Sequence, residues 1–396
     1  MTVRPYTIGV PDETLDDLHR RLSRTRFPDE VEGAGWDYGT NPGYLRELVD
    51  FWLHTYDWRA REAELNRFRH YTAEIDGQSI RFVHERGKGP DPMPVILFHG
   101  WPDSICRYLK LIPMLTDPAR FGGDPADSFD VVVPSLIGDP GMSRSDKGQP
   151  LAKIAELAYR LMTEELGYER FGAGGGDGGS PISQILGVNH PESIIGLHLT
   201  DLGFPILMAN FPDLSDAERE YLARSQAWGF SEGAYAVLQG TKPQTLAYGL
   251  NDSPAGYAAW IIEKFRTWSD CDGDLETVYT KDELLTNVML YWTAGPSVRA
   301  ISYREEWVSG SLAPDQQVDV PVGLALPPKD IDPLPPREFA ERNLKDIRRW
   351  TVLERGGHFA PMEVPDLMAR EIRAFFRPLR TAGRGRPIPK GNVRNP

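Results

Sequence analysis

From Gly172 to Ser180 the chain reads GAGGGDGGS, with five glycines among positions 174–179 and Asp177 set between them. Glycines crowd one side chain either to make room for a sharp backbone turn or to let backbone N–H groups approach an anion. Three chemistries fit. Gly174, Gly176 and Gly179 satisfy GxGxxG, and Asp201 follows about twenty residues on, as a dinucleotide fingerprint would have it. Against that, Asp177 brings a carboxylate to the helix N-terminus that should attract a pyrophosphate. Alternatively, Gly175-Gly176-Asp177-Gly178-Gly179 is small-x-nucleophile-x-small, a strained strand-to-helix turn presenting one reactive group, with Asp where a serine hydrolase has Ser. The third possibility is that Asp177 only caps the helix starting at Ser180.

Residues elsewhere weigh on the choice. His358 lies in RGGHF after the last strand-like run, and Asp330 lies in LPPKD after the run before it. Nucleophile, acid and base in that order along the chain match an α/β-hydrolase. HGWPDS follows another buried strand, where this fold builds an oxyanion hole from backbone N–H groups. Trp101 and Gly178 are the candidate donors, since Pro102 has no N–H. Each residue alone has an ordinary explanation as helix cap, loop acid, structural histidine or Gly-Pro turn. Their joint placement favours the catalytic set.

The elements that must position these groups alternate in type. MPVILFHG, FDVVVPSL, YERFGAGG, IIGLHLTD, VDVPVGLALPP and RRWTVLERGGHF read as strands, with helical runs such as LAKIAELAYRLMTEELG and SPISQILGVNH between them. That alternation predicts an α/β fold with a mostly parallel central sheet covered by helices on both faces. IDGQSIRFVHER adds an alternating strand with a hairpin-like Asp-Gly turn. Residues 1–75 read as an amphipathic helical region packing on the core. The core comprises 76–203 and 318–378, and the strand pattern stops over 204–317, which reads as a helical lid inserted into the sheet. Residues 379–396, rich in Pro, Gly and Arg, read as a disordered tail.

A formal net charge of −13 argues against a nucleic-acid partner, because phosphate binding needs a basic surface. Cys106 and Cys271 are too few to staple a chain of 396 residues, and an acidic N-terminal stretch stands where a signal peptide would be apolar. No apolar run is long enough for a transmembrane helix. The expectation is a cytoplasmic protein with no membrane partner.

HGWPDS, GGDGGS, QGTKPQTLAYGLNDSPAG, LLTNVMLYW and RGGHFAPMEVPDL, with the N-terminal PYTIGVPDETLDDLHRRLSRTRFPDE, resemble the microsomal-type epoxide hydrolases over most of the chain. The resemblance implies an α/β-hydrolase with an N-terminal extension that converts an epoxide and water to a vicinal diol, without metal or organic cofactor. It implies Asp177 as nucleophile, His358 as base, Asp330 as charge-relay acid and two lid tyrosines as electrophilic donors. Tyr235, four residues before Gln239, matches the first; Tyr303 in ISYREE matches the second, about one residue closer to Trp292 than the usual pattern. A homodimer is compatible with the family. This chain departs from it at three places. Asp103 replaces the Gly of HGWPGS and adds charge near the oxyanion loop, Gly178 replaces a Trp after the nucleophile, and PSLIGDPGMSRS replaces a Tyr-bearing loop.

Two other functions use the same features. A haloalkane dehalogenase shares the Asp nucleophile, His and acid, but normally takes halide on indole or amide donors, often a Trp where this chain has Gly178. A non-catalytic binding protein on the same scaffold would account for the altered HGWPDS and loop. A serine esterase is disfavoured by Asp177 in the elbow.

Overall fold

The computed structural model describes residues 3–135, 149–203, 211–294, 303–309, 316–331 and 333–380. Its centre is β4 (Met93–Phe98), flanked by β5 (Phe129–Pro134) and β6 (Phe171–Gly175), both parallel to it. Alternate side chains of β4 enter opposite cores: Val95 and Leu97 one, Ile96 and Phe98 the other. Burial on both faces is why this run is continuously apolar rather than alternating. Beyond β6 the sheet continues in parallel through β7 (Ile194–Leu199), β8 (Val318–Leu326) and β9 (Leu344–Val352). On its other side it ends in the antiparallel strands β3 (Gln78–Glu85), β2 (His70–Ile75) and β1 (Arg4–Tyr6). The order is β1-β2-β3-β5-β4-β6-β7-β8-β9, the α/β-hydrolase arrangement of a mostly parallel sheet with helices on both faces.

Two sequence expectations need refinement. The Asp-Gly turn does join a hairpin, with Asp76 and Gly77 at φ 51° and 72°, the positive values a tight two-residue turn demands. Its first strand, HYTAEI, went unread because the hydrophobic alternation is weak there. The N-terminal region is not purely helical either, since Arg4–Tyr6 pairs with β2 as an edge strand three residues long, too short for periodicity to reveal.

Leu18, Leu22, Leu48 and Trp52 of the helices Asp12–Leu22 and Pro42–His54 share one core with Ile261, Ile262 and Val288 of the helices Pro254–Trp268 and Lys281–Ala294. Polar contacts follow the same seam: Thr40 Oγ donates to the Ala259 carbonyl at 2.7 Å, and Lys281 meets Glu47 at 2.7 Å. Between β7 and β8 the described residues contain helices and no strand. Among the described residues no helix is long and apolar enough to cross a membrane. Most of the altered PSLIGDPGMSRS loop, from Leu136 on, and the tail from residue 381 lie outside the described residues.

Candidate active site

Asp177 follows β6 and precedes the helix Gly179–Asn189, with φ at +55°, a left-handed conformation that is costly for a residue with a side chain. The turn is tight because β4 lies directly beside it. A Cβ on Gly175 would fall 2.5 Å from the Phe98 carbonyl oxygen, and one on Gly179 would fall 2.3 Å from the same atom. Gly176 is as confined, since its Cβ would come within 2.2 Å of Thr200 and 2.4 Å of Arg107. These glycines serve close packing, and protein atoms fill the space a pyrophosphate would need.

The Asp177 carboxylate does not cap the helix. Oδ1 accepts the backbone N–H of Gly178 at 2.6 Å and that of Trp101 at 3.1 Å. Oδ2 faces the His358 imidazole, 3.3 Å from Nε2, close enough for charge interaction but misaligned for a hydrogen bond. His358 Nδ1 lies 2.7 Å from Asp330 Oδ1. Three residues from the ends of β6, β8 and β9 thus form one chain of contacts, each almost wholly removed from solvent.

Charge sets their protonation. Burial alone would raise the Asp177 carboxyl, but the imidazole and the two N–H donors hold it below the ordinary carboxylate range. For His358 burial acts downward, yet the Asp330 and Asp177 carboxylates outweigh it and hold the imidazole well above its usual value. Both shifts favour an Asp177 carboxylate beside a His358 imidazolium.

Above the carboxylate lies an aromatic wall. The Trp101 indole stacks on Tyr235 with centroids 5.1 Å apart, and the Tyr303 ring stands edge-on to both, at 6.3 Å from Trp101 and 6.1 Å from Tyr235. Tyr303 is held protonated by burial, reinforced by Tyr235 and Asp177, so its phenol lies well above the usual value. The Lys264 ammonium sits 5.3 Å from the Tyr235 ring centroid. All seven sequence candidates, Asp177, His358, Asp330, Tyr235, Tyr303, Trp101 and Gly178, therefore converge. Among the described residues no cluster of three or more His, Cys, Asp or Glu is placed to hold a metal ion.

The expectation for Asp103 is corrected. Its carboxylate adds no free charge to the oxyanion loop, because Oδ2 pairs with the fully buried Arg107 guanidinium and Oδ1 accepts the Gly100 N–H at 2.8 Å. Arg107 in turn donates to the His358 carbonyl at 3.0 Å. The pair ties the loop after β4 to the loop after β9. Sequence reasoning passed over Arg107, although the i,i+4 spacing from Asp103 is a visible signal.

Glu363 is a second residue it missed. It accepts the N–H groups of Gly357 at 2.9 Å, Phe359 at 2.8 Å and Asp270 at 2.9 Å, which clamps the segment carrying His358. Nothing in RGGHFAPMEV marks it, because the donors are backbone groups. Trp268 completes the mount: its carbonyl accepts the His358 N–H at 2.8 Å, and its ring stands edge-on to the imidazole at 5.2 Å.

Residues 3–108 match the family model described as the epoxide hydrolase N terminus. A Stigmatella aurantiaca protein provisionally named an epoxide hydrolase is 41% identical, the alignment covering 96% of this chain and 86% of that one. Epoxide hydrolase 1 of Oryctolagus cuniculus is 33% identical, with 94% of this chain and 88% of the rabbit protein covered. Among solved structures, juvenile hormone epoxide hydrolase of Bombyx mori superposes with a TM-score of 0.86 at 27% identity, over 96% of this chain and 95% of that one.

Proposed function

Because this chain belongs to the epoxide hydrolase family of enzymes, we propose that it opens an epoxide to a vicinal diol through a covalent ester on Asp177. The observation that carries the reading is the division of labour on one carboxylate: Oδ1 held by two N–H groups, Oδ2 free to attack and facing His358. Residues 204–317 act as the lid bringing Tyr235 and Tyr303 over the nucleophile, and residues 1–75 brace that lid.

An epoxide is electrophilic at carbon, but its oxygen leaves only when negative charge growing on it is met by a donor. Neutral phenols suit that step, because they donate as the charge develops. Oδ2 attacks a ring carbon, the C–O bond breaks, and the departing oxygen takes a proton from the tyrosine pair. A carboxylate is the fitting nucleophile, since its ester can be cleaved at the carbonyl whereas an ether formed by Ser could not.

Ester formation also changes the electrostatics. Asp177 loses its negative charge, which is one of the two that stabilise the His358 imidazolium. The imidazolium then gives up its proton more readily, the tyrosinate left by ring opening takes it through water, and His358 becomes a base only after the ester exists. It takes a proton from water, which attacks Cγ of Asp177, and Asp330 steadies the imidazolium that re-forms. The tetrahedral oxyanion develops on Oδ1, where the Trp101 and Gly178 donors already sit; each such donor is worth about 10²–10³ in rate. The diol leaves on Oδ2 with a proton from His358, the water oxygen remains in Asp177, and the proton still on that oxygen passes to His358, which restores the carboxylate and the imidazolium.

That last step supplies the test. A single turnover of styrene oxide in oxygen-18 water is expected to place the label in the Asp177 carboxylate and none in the diol. Label in the diol with an unlabelled protein would mean direct attack by water and refute the ester. Asp177→Ala should abolish turnover, and His358→Gln should accumulate the ester, visible by intact mass.

A further inference from the structure

We propose that Asp201 is a third carboxylate of this site, a positioning residue that holds the nucleophile's backbone and, across a water-sized cavity from Asp330, adds its negative charge to those of Asp177 and Asp330 around the His358 imidazolium. The inference rests on the catalytic assignment above and extends it to a residue that assignment does not use.

Asp201 follows β7, the strand beside β6, so its turn lies next to the nucleophile's; the Thr200 N–H donates to the Gly175 carbonyl at 3.2 Å. Its Oδ2 accepts the backbone N–H of Asp177 at 2.8 Å and its Oδ1 that of Gly203 at 2.9 Å. The Thr200 hydroxyl donates to Oδ2 at 3.2 Å and the Ser180 hydroxyl to the Asp201 carbonyl at 3.2 Å. The N–H of a residue held at positive φ is therefore fixed by a carboxylate rather than by a neutral carbonyl. Charge-assisted bonds of this kind are roughly twice as strong as neutral ones, which suits a strained turn.

Asp201 and Asp330 line a common cavity of about 10 Å³, together with Thr200, Tyr221 and Pro327. That volume is about what one water requires. Asp330 spends Oδ1 on His358 and on the Ile331 N–H, while its buried Oδ2 has no partner among the described residues. The charged and titratable groups around Asp201 are Asp177, Asp330, His358, Arg107, Tyr108 and Tyr221. Arg107 is already paired with Asp103. His358 is thus the cation left to answer Asp177, Asp330 and Asp201 together. Burial, with Asp330 adding to it, raises the Asp201 carboxyl to about 6.

The sign of the effect can be read in the step His358 performs. Water activation requires neutral imidazole, so ester hydrolysis fails at low pH along a limb set by the imidazolium. An anion nearby moves that limb up, and replacing it by a neutral isostere moves it down. Full-length protein is reacted with limiting styrene oxide, and ester formation and decay are followed by quenched-flow mass spectrometry from pH 5 to 9.

Asp201→Asn is expected to lower the acid limb of ester decay by about 0.5–1 unit, the size of one partly screened charge, and to slow the plateau about threefold to tenfold. Asp201→Glu, which keeps the charge, should return the limb to its original position. Asp330→Asn should retain slow decay that the double variant loses. An Asp201→Asn enzyme that is slower but has an unmoved limb overturns the proposal, because a purely structural role would change rates only. If Asp201→Asn does not fold, Asp201→Ser, which admits water to both N–H donors, is read by the same limb. Failure of the unsubstituted protein to form any ester would instead overturn the catalytic assignment itself.

Discussion

The sharpest structural demand at the site falls on Gly100. Its φ is not positive, so alanine suits its backbone, yet a Cβ there would lie 2.1 Å from Asp177 Oδ1 and 2.4 Å from Asp177 Cβ and Cγ. Such atoms do not approach within 3.0 Å, so the carboxylate must retreat by about 0.9 Å. The retreat takes Oδ1 off the Trp101 and Gly178 donors and turns Oδ2 from its line of attack. Misplacement of a reacting group by about 1 Å costs about 10²-fold, and losing one oxyanion donor costs about 10²–10³. Gly100→Ala should therefore slow ester formation by at least about 10²-fold. The assay is adduct accumulation by intact mass with styrene oxide in a His358→Gln background, where the ester persists. Crowding a buried site also destabilises by about 1–3 kcal/mol, so a urea titration is needed to verify that both proteins are folded during the assay. Adduct formation within about threefold of the parent would refute the claim that Asp177 is held where this geometry puts it.

Two further outcomes follow from the same contacts. Tyr235→Phe and Tyr303→Phe should each slow ester formation, by about 10²-fold for the stronger donor, while leaving decay of a preformed ester nearly unchanged; quenched-flow separation of the phases checks this. Arg107→Met strands the buried Asp103 carboxylate and should cost about 3–5 kcal/mol in urea unfolding, with Asp103→Asn in the same chain recovering part of the loss.

How much of this was legible follows from where each signal resides. Strands buried on both faces carry uninterrupted apolar runs, so β4, β5, β7 and β8 could be read directly, and with them the ends at which His99-Gly100-Trp101 and Asp330 stand. The nucleophile was readable because a strained turn beside a neighbouring strand needs glycine at several positions at once, and that density is rare. The tyrosines were not legible from periodicity, since a buried aromatic on a helix looks the same whether it packs or donates; the family resemblance singled them out. Glu363 and the inner role of Asp201 left no local trace. Their partners are backbone N–H groups, or side chains brought from distant strands, and neither changes composition or spacing nearby.

Asp103 is the instructive case. Taken as a charge in place of the family's glycine, it pointed to an altered pocket, because an unpaired carboxylate near an oxyanion site would oppose the negative charge forming there. Its pairing reverses that inference. The Arg107 guanidinium neutralises it from one turn further along and the Gly100 N–H binds it from the loop, while the Tyr291 hydroxyl, on the helix Lys281–Ala294, donates to the Asp103 backbone carbonyl. Its side chain faces inward, 1% exposed, so substrate does not meet it. The substitution braces the loop that carries the Trp101 donor and leaves the polarity of the pocket alone. Of the two described departures, Gly178 is then the one positioned to alter which epoxides fit: it stands at the nucleophile itself and contributes only its N–H, with no side chain where the family resemblance implies an indole. Gly178→Trp should consequently narrow the range of epoxides accepted while preserving ester formation with the smallest, which a panel graded by substituent size measures; an unchanged size profile would send the difference elsewhere.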